Sequence, residues 1–307
     1  KGYGITRERV RQIEEFALAQ LAKHASDIRE LTRFTSSMKD LIAREGGVVR
    51  ERALFKMVSG NDKDTVANAS LIFALTLDTE LIRMADNDHY HAFWTRSRAT
   101  LDAFRAQVAA LTSALQSHNS VIPVGQVIEL ATKNNVSALD GSKFTDKHLA
   151  TISAICKDLG CNIFGQMGLT HWSQIRPKGV RDKAYLVIKQ AEKPQHFSQI
   201  AKLINVAKFD AKKVNVQTVH NELIKDKRFV LVGRGMYALS EWGYKSGTVK
   251  DVLVDILRSH GKPLPRVELV ARVSSVRLVK ENTILLNLQD SGTFVKDENG
   301  HFHLRKK

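Results

Sequence analysis

Apolar positions along the chain follow one order that recurs about every 65 to 75 residues: three runs at helical spacing, then a pair of alternating runs. The clearest copy begins at VRDKAYLVIKQA, where Ala184, Val187, Ile188 and Ala191 share a helical face and Pro194 stops the helix. Ser198 can cap a second helix carrying Ile200, Ala201, Leu203 and Ile204. After a lysine-rich stretch, VNVQTVHNELIKDK supplies a third, with Val216, Val219, Leu223 and Ile224 expected inward. RFVLVGRGMYALSEW alternates on either side of Gly233-Arg234-Gly235, the pattern of a two-stranded hairpin. The same order runs through 246–307, with a hairpin turned at Asp297 to Gly300, and through 26–95, turned at Asp86 to Asp88. A fainter copy occupies 96–176.

Three helices followed by a hairpin make the winged helix-turn-helix arrangement. The expected fold class is mainly α with small β-hairpins (α+β): tandem winged helix-turn-helix modules at 26–95, 96–176, 177–245 and 246–307, after a partial helix-turn-helix at 1–25. A single α+β domain with irregular hairpins is the alternative.

The opening stretch, KGYGITRERVRQIEEFALAQL, is a different object. With Thr6 as cap, steps of about 100° put Val10, Ile13, Ala17 and Leu21 on one face, expected to pack. Arg7, Glu8, Arg11, Gln12 and Glu15 fall opposite, with Arg9 on the flank. Guanidinium groups can bond guanine edges, Gln can address adenine and Glu can accept from cytosine, so this division suits a helix in the major groove. The same residues also suit a solvated face with charges paired along the helix.

GITRERVRQIE resembles the recognition helix of region 4 of primary-type bacterial sigma factors, over about Gly4 to Leu21. The resemblance implies minus-35 promoter contacts through Thr6, Arg7, Glu8, Arg9, Arg11 and Gln12, with RNA polymerase as a partner. It also implies that a supporting first helix precedes these residues. The segment DKAYLVIKQAEKPQHFSQIAKLI is similar to the HARE type of winged helix, a family that includes the amino-terminal domain of the polymerase delta subunit. That resemblance covers about Gly179 to Trp242 and implies DNA or polymerase contact.

Charge sharpens the picture. The chain of 307 residues carries a formal +15, a surplus that suits a polyanionic partner. Residues 177–245 hold 14 basic and 6 acidic residues, whereas 26–95 hold 9 and 11. Lys202, Lys208, Lys212 and Lys213 cluster around the turn before the third helix of the basic module. Gln217, His220 and Asn221 lie on or near that helix, and Arg234 sits at the hairpin tip. Such lysines neutralise phosphates, and an arginine on a wing can enter the minor groove. The acidic balance of 26–95 favours a protein partner there.

Other signals point to no chemistry. His89 with His91, and His301 with His303, are two apart on expected strands but lack a third ligand, so no metal is expected. Cys156 and Cys161 are expected to be reduced core thiols. Trp94, Trp172 and Trp242 each close a hairpin and are expected in cores against the first helix of their module. Leu101, Phe104, Val108, Leu111 and Leu115 suit an ordinary buried face rather than a coiled coil. No catalytic constellation, cofactor motif, membrane span or small-molecule site stands out. The sequence therefore reads as a non-enzymatic, sequence-specific, double-stranded DNA-binding transcription protein, cytoplasmic and nucleoid-associated. The alternatives are a protein-binding scaffold on RNA polymerase and the specificity arm of a larger DNA-processing enzyme.

Overall fold

The computed structural model describes residues 4–305. Lys1, Gly2, Tyr3, Lys306 and Lys307, the ends of the expected 1–25 and 246–307 segments, lie outside the described residues. The chain forms two compact units, Lys1–Arg176 and Pro177–Lys307.

The first unit opens with α1 (Arg7–Ala25), capped by Thr6, whose hydroxyl accepts from the Arg9 amide at 3.2 Å. Then come α2 (Arg29–Arg44), β1 (Val48–Arg50), α3 (Glu51–Ser59), α4 (Val66–Thr76), β2 (Ile82–Met84) and β3 (Phe93–Thr95). The order returns as α5 (Arg98–His118), β4 (Ile122–Pro123), α6 (Val124–Lys133), α7 (Asp146–Ile155), β5 (Leu159–Cys161) and β6 (Gln166–Leu169).

The second unit repeats it twice more. Its elements are α8 (Val180–Ala191), β7 (Gln195–His196), α9 (Phe197–Ala207), α10 (Val216–Lys225), β8 (Phe229–Gly233) and β9 (Met236–Leu239). They continue as α11 (Val249–His260), β10 (Leu264–Pro265), α12 (Arg266–Val276), α13 (Glu281–Leu288), β11 (Phe294–Lys296) and β12 (His301–Leu304). Each repeat closes an antiparallel three-stranded sheet in which its last strand lies between the other two. The result is a mainly helical α+β chain with four small sheets among the described residues.

Local chemistry explains the element ends. Thr65, Ser97, Asn215 and Thr248 cap α4, α5, α10 and α11 through their side chains, and Gly60 and Gly261 end α3 and α11 at positive φ. At α9 the cap is His196 rather than Ser198. Its ring accepts from the Ser198 amide, so the helix starts two residues earlier than a Ser198 cap would place it.

The first sheet is buried on both faces. Val49, Trp94 and Leu81 join Ile42, Leu54, Phe55, Leu71 and Leu75 inside the first repeat. Successive strand residues point oppositely, so Val48 and Phe93 face away and enter the core built on Leu101, Phe104, Val108, Leu111 and Leu115 of α5. That core continues through Val127, Ile152, Ile155 and Leu159, making the first two repeats one packed body. In the second unit the corresponding outward face, Val230, Val232 and Ala238, is covered by Met236, Trp242 and Tyr244. Trp242, which lies beyond β9 on the connection to the fourth repeat, packs on its sheet. Trp94 is fully buried, its indole N–H donating to Glu51 at 3.0 Å, and Arg83 grips the same carboxylate at 2.5 and 2.8 Å.

Two other expectations change. Cys156 is a buried free thiol, but Cys161 is exposed on β5, an edge strand of its sheet. His89 and His91 lie outside the strands, in the connection between β2 and β3, where Tyr90 bridges to Cys156 in the second repeat. His301 and His303 do lie on β12. No group of three metal-ligating side chains occurs among the described residues.

Candidate nucleic-acid interface

The Arg/Glu/Gln face of α1 is held together by its own side chains. Arg11 donates to Glu8 at 2.6 and 3.0 Å and pairs with Glu15 one turn on, while Arg9 reaches Gln12 at 3.4 Å. The Arg11 guanidinium holds the Glu8 carboxyl below its ordinary value. Arg7 has no side-chain partner among the described residues. These pairs are exposed and therefore weak, so a base edge can compete for Arg11 only by replacing its carboxylates. The opposite face departs from expectation. Val10, Ile13 and Leu21 are each 48% exposed and Phe16 is 67% exposed. Only Ala25, at the C-terminal end of α1, is buried, while Glu14 and Leu18 line an open groove with Ala69, Ile72, Phe73 and Thr76 of α4.

The third repeat presents the other expected residues. Val219 and Leu223 anchor α10 to its core. Ile224 is 63% and Val216 40% exposed, contrary to the inward face expected. Ile224 lies roughly 140° around the helix from Val219, too far to share its burial. Gln217 and Asn221 stand on the exposed side and are linked at 3.2 Å. An apolar Ile224 beside two amides is a surface suited to a thymine methyl and an adenine edge.

The charges of this repeat are sorted. Arg181 pairs with Glu222, Lys183 with Asp210, Lys189 with Glu241, and Arg228 with both Asp182 and Asp226. Hydrogen bonds from Arg181, Lys183 and Arg228 hold Glu222, Asp210 and Asp226 below the usual carboxylate range. Lys202, Lys208, Lys212, Lys213 and Arg234 are exposed and make no ion pair among the described residues. All the acidic side chains of the repeat except the exposed Glu192 are thereby committed to the fold, while the lysines around the α9–α10 turn remain open to a partner. Lys208 ends α9 in the left-handed conformation, φ 52°, which starts the turn that carries Lys212 and Lys213.

The hairpin of the third repeat is fixed locally. Arg234 and Gly235 form the two-residue turn between β8 and β9. Gly235 has φ +66°, and a Cβ there would lie 2.5 Å from His196 Nε2 and 2.9 Å from Phe197. Only glycine therefore lets the hairpin lie down on the start of α9. His196, Phe197 and His220 stack behind it, with ring centroids 4.3 and 4.5 Å apart. The sequence placed His220 on or near the third helix, but the stack needed the fold to bring β7, α9 and α10 together.

The first unit uses its basic residues differently. Lys147 on α7 donates to the Arg44 carbonyl at 2.9 Å, and Lys157 reaches Asp86 at 2.5 Å and the Asn87 carbonyl at 2.6 Å. Both tie the second repeat to the first. The third helix of the first repeat, α4, has no charged residue, and Val66 is 84% and Phe73 50% exposed. No helix among the described residues is long and apolar enough to cross a membrane. No protein-family model matches the chain, and no curated protein matches it.

Proposed function

We propose that the chain is a non-enzymatic transcription protein that binds double-stranded DNA through tandem winged helices, with RNA polymerase as its protein partner. The observation that carries this reading is the charge sorting in the third repeat. Five of its six carboxylates, all but the exposed Glu192, are engaged in ion pairs, while four lysines and a wing arginine stand unpaired around a helix bearing the exposed Gln217 and Asn221. Lysines so placed release counterions on binding, and the helix between them supplies base-edge contacts. The sigma-like face of α1, Thr6, Arg7, Glu8, Arg9, Arg11 and Gln12, adds sequence preference once Arg11 exchanges Glu8 and Glu15 for bases.

The test is a duplex titration by fluorescence anisotropy at several salt concentrations, with promoter-like and scrambled sequences. Arg7→Ala with Gln12→Ala should remove sequence preference and leave scrambled binding intact. A chain that binds no duplex at low salt rules the reading out.

A second reading applies to the first repeat. The uncharged α4, with Val66 and Phe73 exposed, suits a protein contact better than a phosphate backbone. There the chain acts as a scaffold, and pull-down of polymerase in the absence of DNA, weakened by Phe73→Asp, tests it.

A further inference from the structure

The turn between α12 and α13 in the fourth repeat corresponds to the lysine-bearing turn of the third, but it carries different chemistry. Arg277 is 7% exposed. Its Nη1 donates to the Gly247 carbonyl and, at 3.4 Å, to that of Lys245, on the connection from the third repeat. Its Nε is buried without an acceptor among the described residues, so burial costs this guanidinium part of its hydrogen bonding. The next residue, Leu278, donates its amide to the Val232 carbonyl of β8 at 3.1 Å. Gly233 lies so close to that turn that a Cβ there would sit 2.9 Å from the Leu278 carbonyl oxygen. One turn therefore holds both the connection and the outer edge of the wing strand. On its other side the wing tip rests through Gly235 on His196 and Phe197.

We infer that Arg277 is the positioning residue for the Arg234 wing, and that the fourth repeat serves as a bracket for that wing rather than as a separate groove reader. Three observations carry the inference. The Arg277 guanidinium fastens the connection, the Leu278 amide fastens β8, and the helix that follows displays Glu281, Asn282, Thr283 and Leu286 with no lysine or arginine. A two-residue hairpin tip held on both sides loses little freedom on entering a groove, so its arginine contributes more of its contact energy to affinity. The inference rests on the duplex-binding reading proposed above.

Two substitutions open the bracket from opposite partners. Arg277→Met keeps a long buried side chain but removes the donors, and Gly233→Ala pushes β8 away from Leu278. Amide exchange in the free chain reads the bracket without DNA. In both variants the Leu278 amide and the amides of residues 232–236 should lose protection, while those of α8 should keep it. Duplex binding then reads the role. In the wild-type background Arg234→Ala should weaken binding about tenfold. In either variant background it should weaken binding less than about twofold, because a loose wing has already lost the contact. Lys212→Ala with Lys213→Ala should weaken binding equally in all three backgrounds, which general destabilisation would not produce. Arg277→Lys, which can still donate to a carbonyl, should restore part of the Arg234 effect. Unchanged exchange in both variants overturns the bracket and leaves the DNA reading standing. A full Arg234 effect in both variants overturns the positioning role. A wild-type chain that binds no duplex overturns the DNA reading itself, whatever exchange shows of the bracket.

Discussion

In the first unit the sheet of the leading repeat is covered on its outer face by α5 of the next repeat, so one apolar core runs through both. In the second unit the equivalent face is covered by Trp242 and Tyr244 from the connection, and the following repeat is fastened by Arg277 and Leu278. The same element order therefore yields two kinds of coupling. A 21-residue helix with five buried large side chains on one face can seal a sheet, whereas the 12-residue α11 keeps its apolar face for its own repeat. The consequence reaches the surface. Where the repeats fuse, Lys147 and Lys157 are spent on holding them together; where they are strapped, Lys202, Lys208, Lys212 and Lys213 of the third repeat stay unpaired.

The largest expected effect breaks the fused core. Phe104 is fully buried against Phe93, with ring centroids 5.2 Å apart. Phe104→Ala should destabilise the unit by about 3–5 kcal/mol. Amide exchange should show protection falling in both repeats of the first unit together; a loss confined to 96–176 would mean that the core is not shared.

Arg83→Met comes next. It leaves the Glu51 carboxylate, whose side chain is 9% exposed, with only the Trp94 indole as donor. Removing one partner of a buried ion pair is costly, but Arg83 is itself partly exposed, so about 2 kcal/mol is expected. Urea titration measures it, and the loss should stay within the first unit.

The functional contrast is sharpened by charge removal. Lys212→Ala with Lys213→Ala should weaken every duplex alike and lower the slope of log affinity against log salt by about 1.8. Lys147→Ala in the first unit, whose amino group is already engaged, should leave that slope unchanged. Equal slopes for the two variants would erase the distinction between the units.

The smallest effect is in pH. Arg228 holds the Asp226 carboxyl below its ordinary 3.8. A carboxyl depressed in the folded state adds stability that is complete above its unfolded value and is lost as pH falls through the folded one. The urea midpoint of the second unit should therefore drop below about pH 4, and Asp226→Asn should flatten that drop.

Much of this architecture could be read from residue order. The helices of the third repeat, the hairpin around Gly233-Arg234-Gly235 and the buried stripe of α5 follow from spacing, because helix and strand periodicity are local properties. The exposure of Val216 and Ile224, the place of Trp242 and the His196 cap were not legible, since each depends on what lies opposite rather than on neighbours in sequence. The candidate site divides in the same way. Lys208, Lys212, Lys213, Gln217 and Arg234 were recognisable as a basic, amide-bearing group around one helix. Nothing local marked Arg277, an arginine among several, as the one that is buried.

The sequence by itself determined the repeated order of elements, the concentration of positive charge in 177–245 and the arginine-rich face of the opening helix, all of which are matters of composition and local spacing. Only the tertiary structure decided which charges are free. An ion pair is set by three-dimensional distance: Asp210 with Lys183, Asp182 with Arg228 and Asp86 with Lys157 meet across 27, 46 and 71 residues of chain, although Arg228 also pairs with the nearby Asp226.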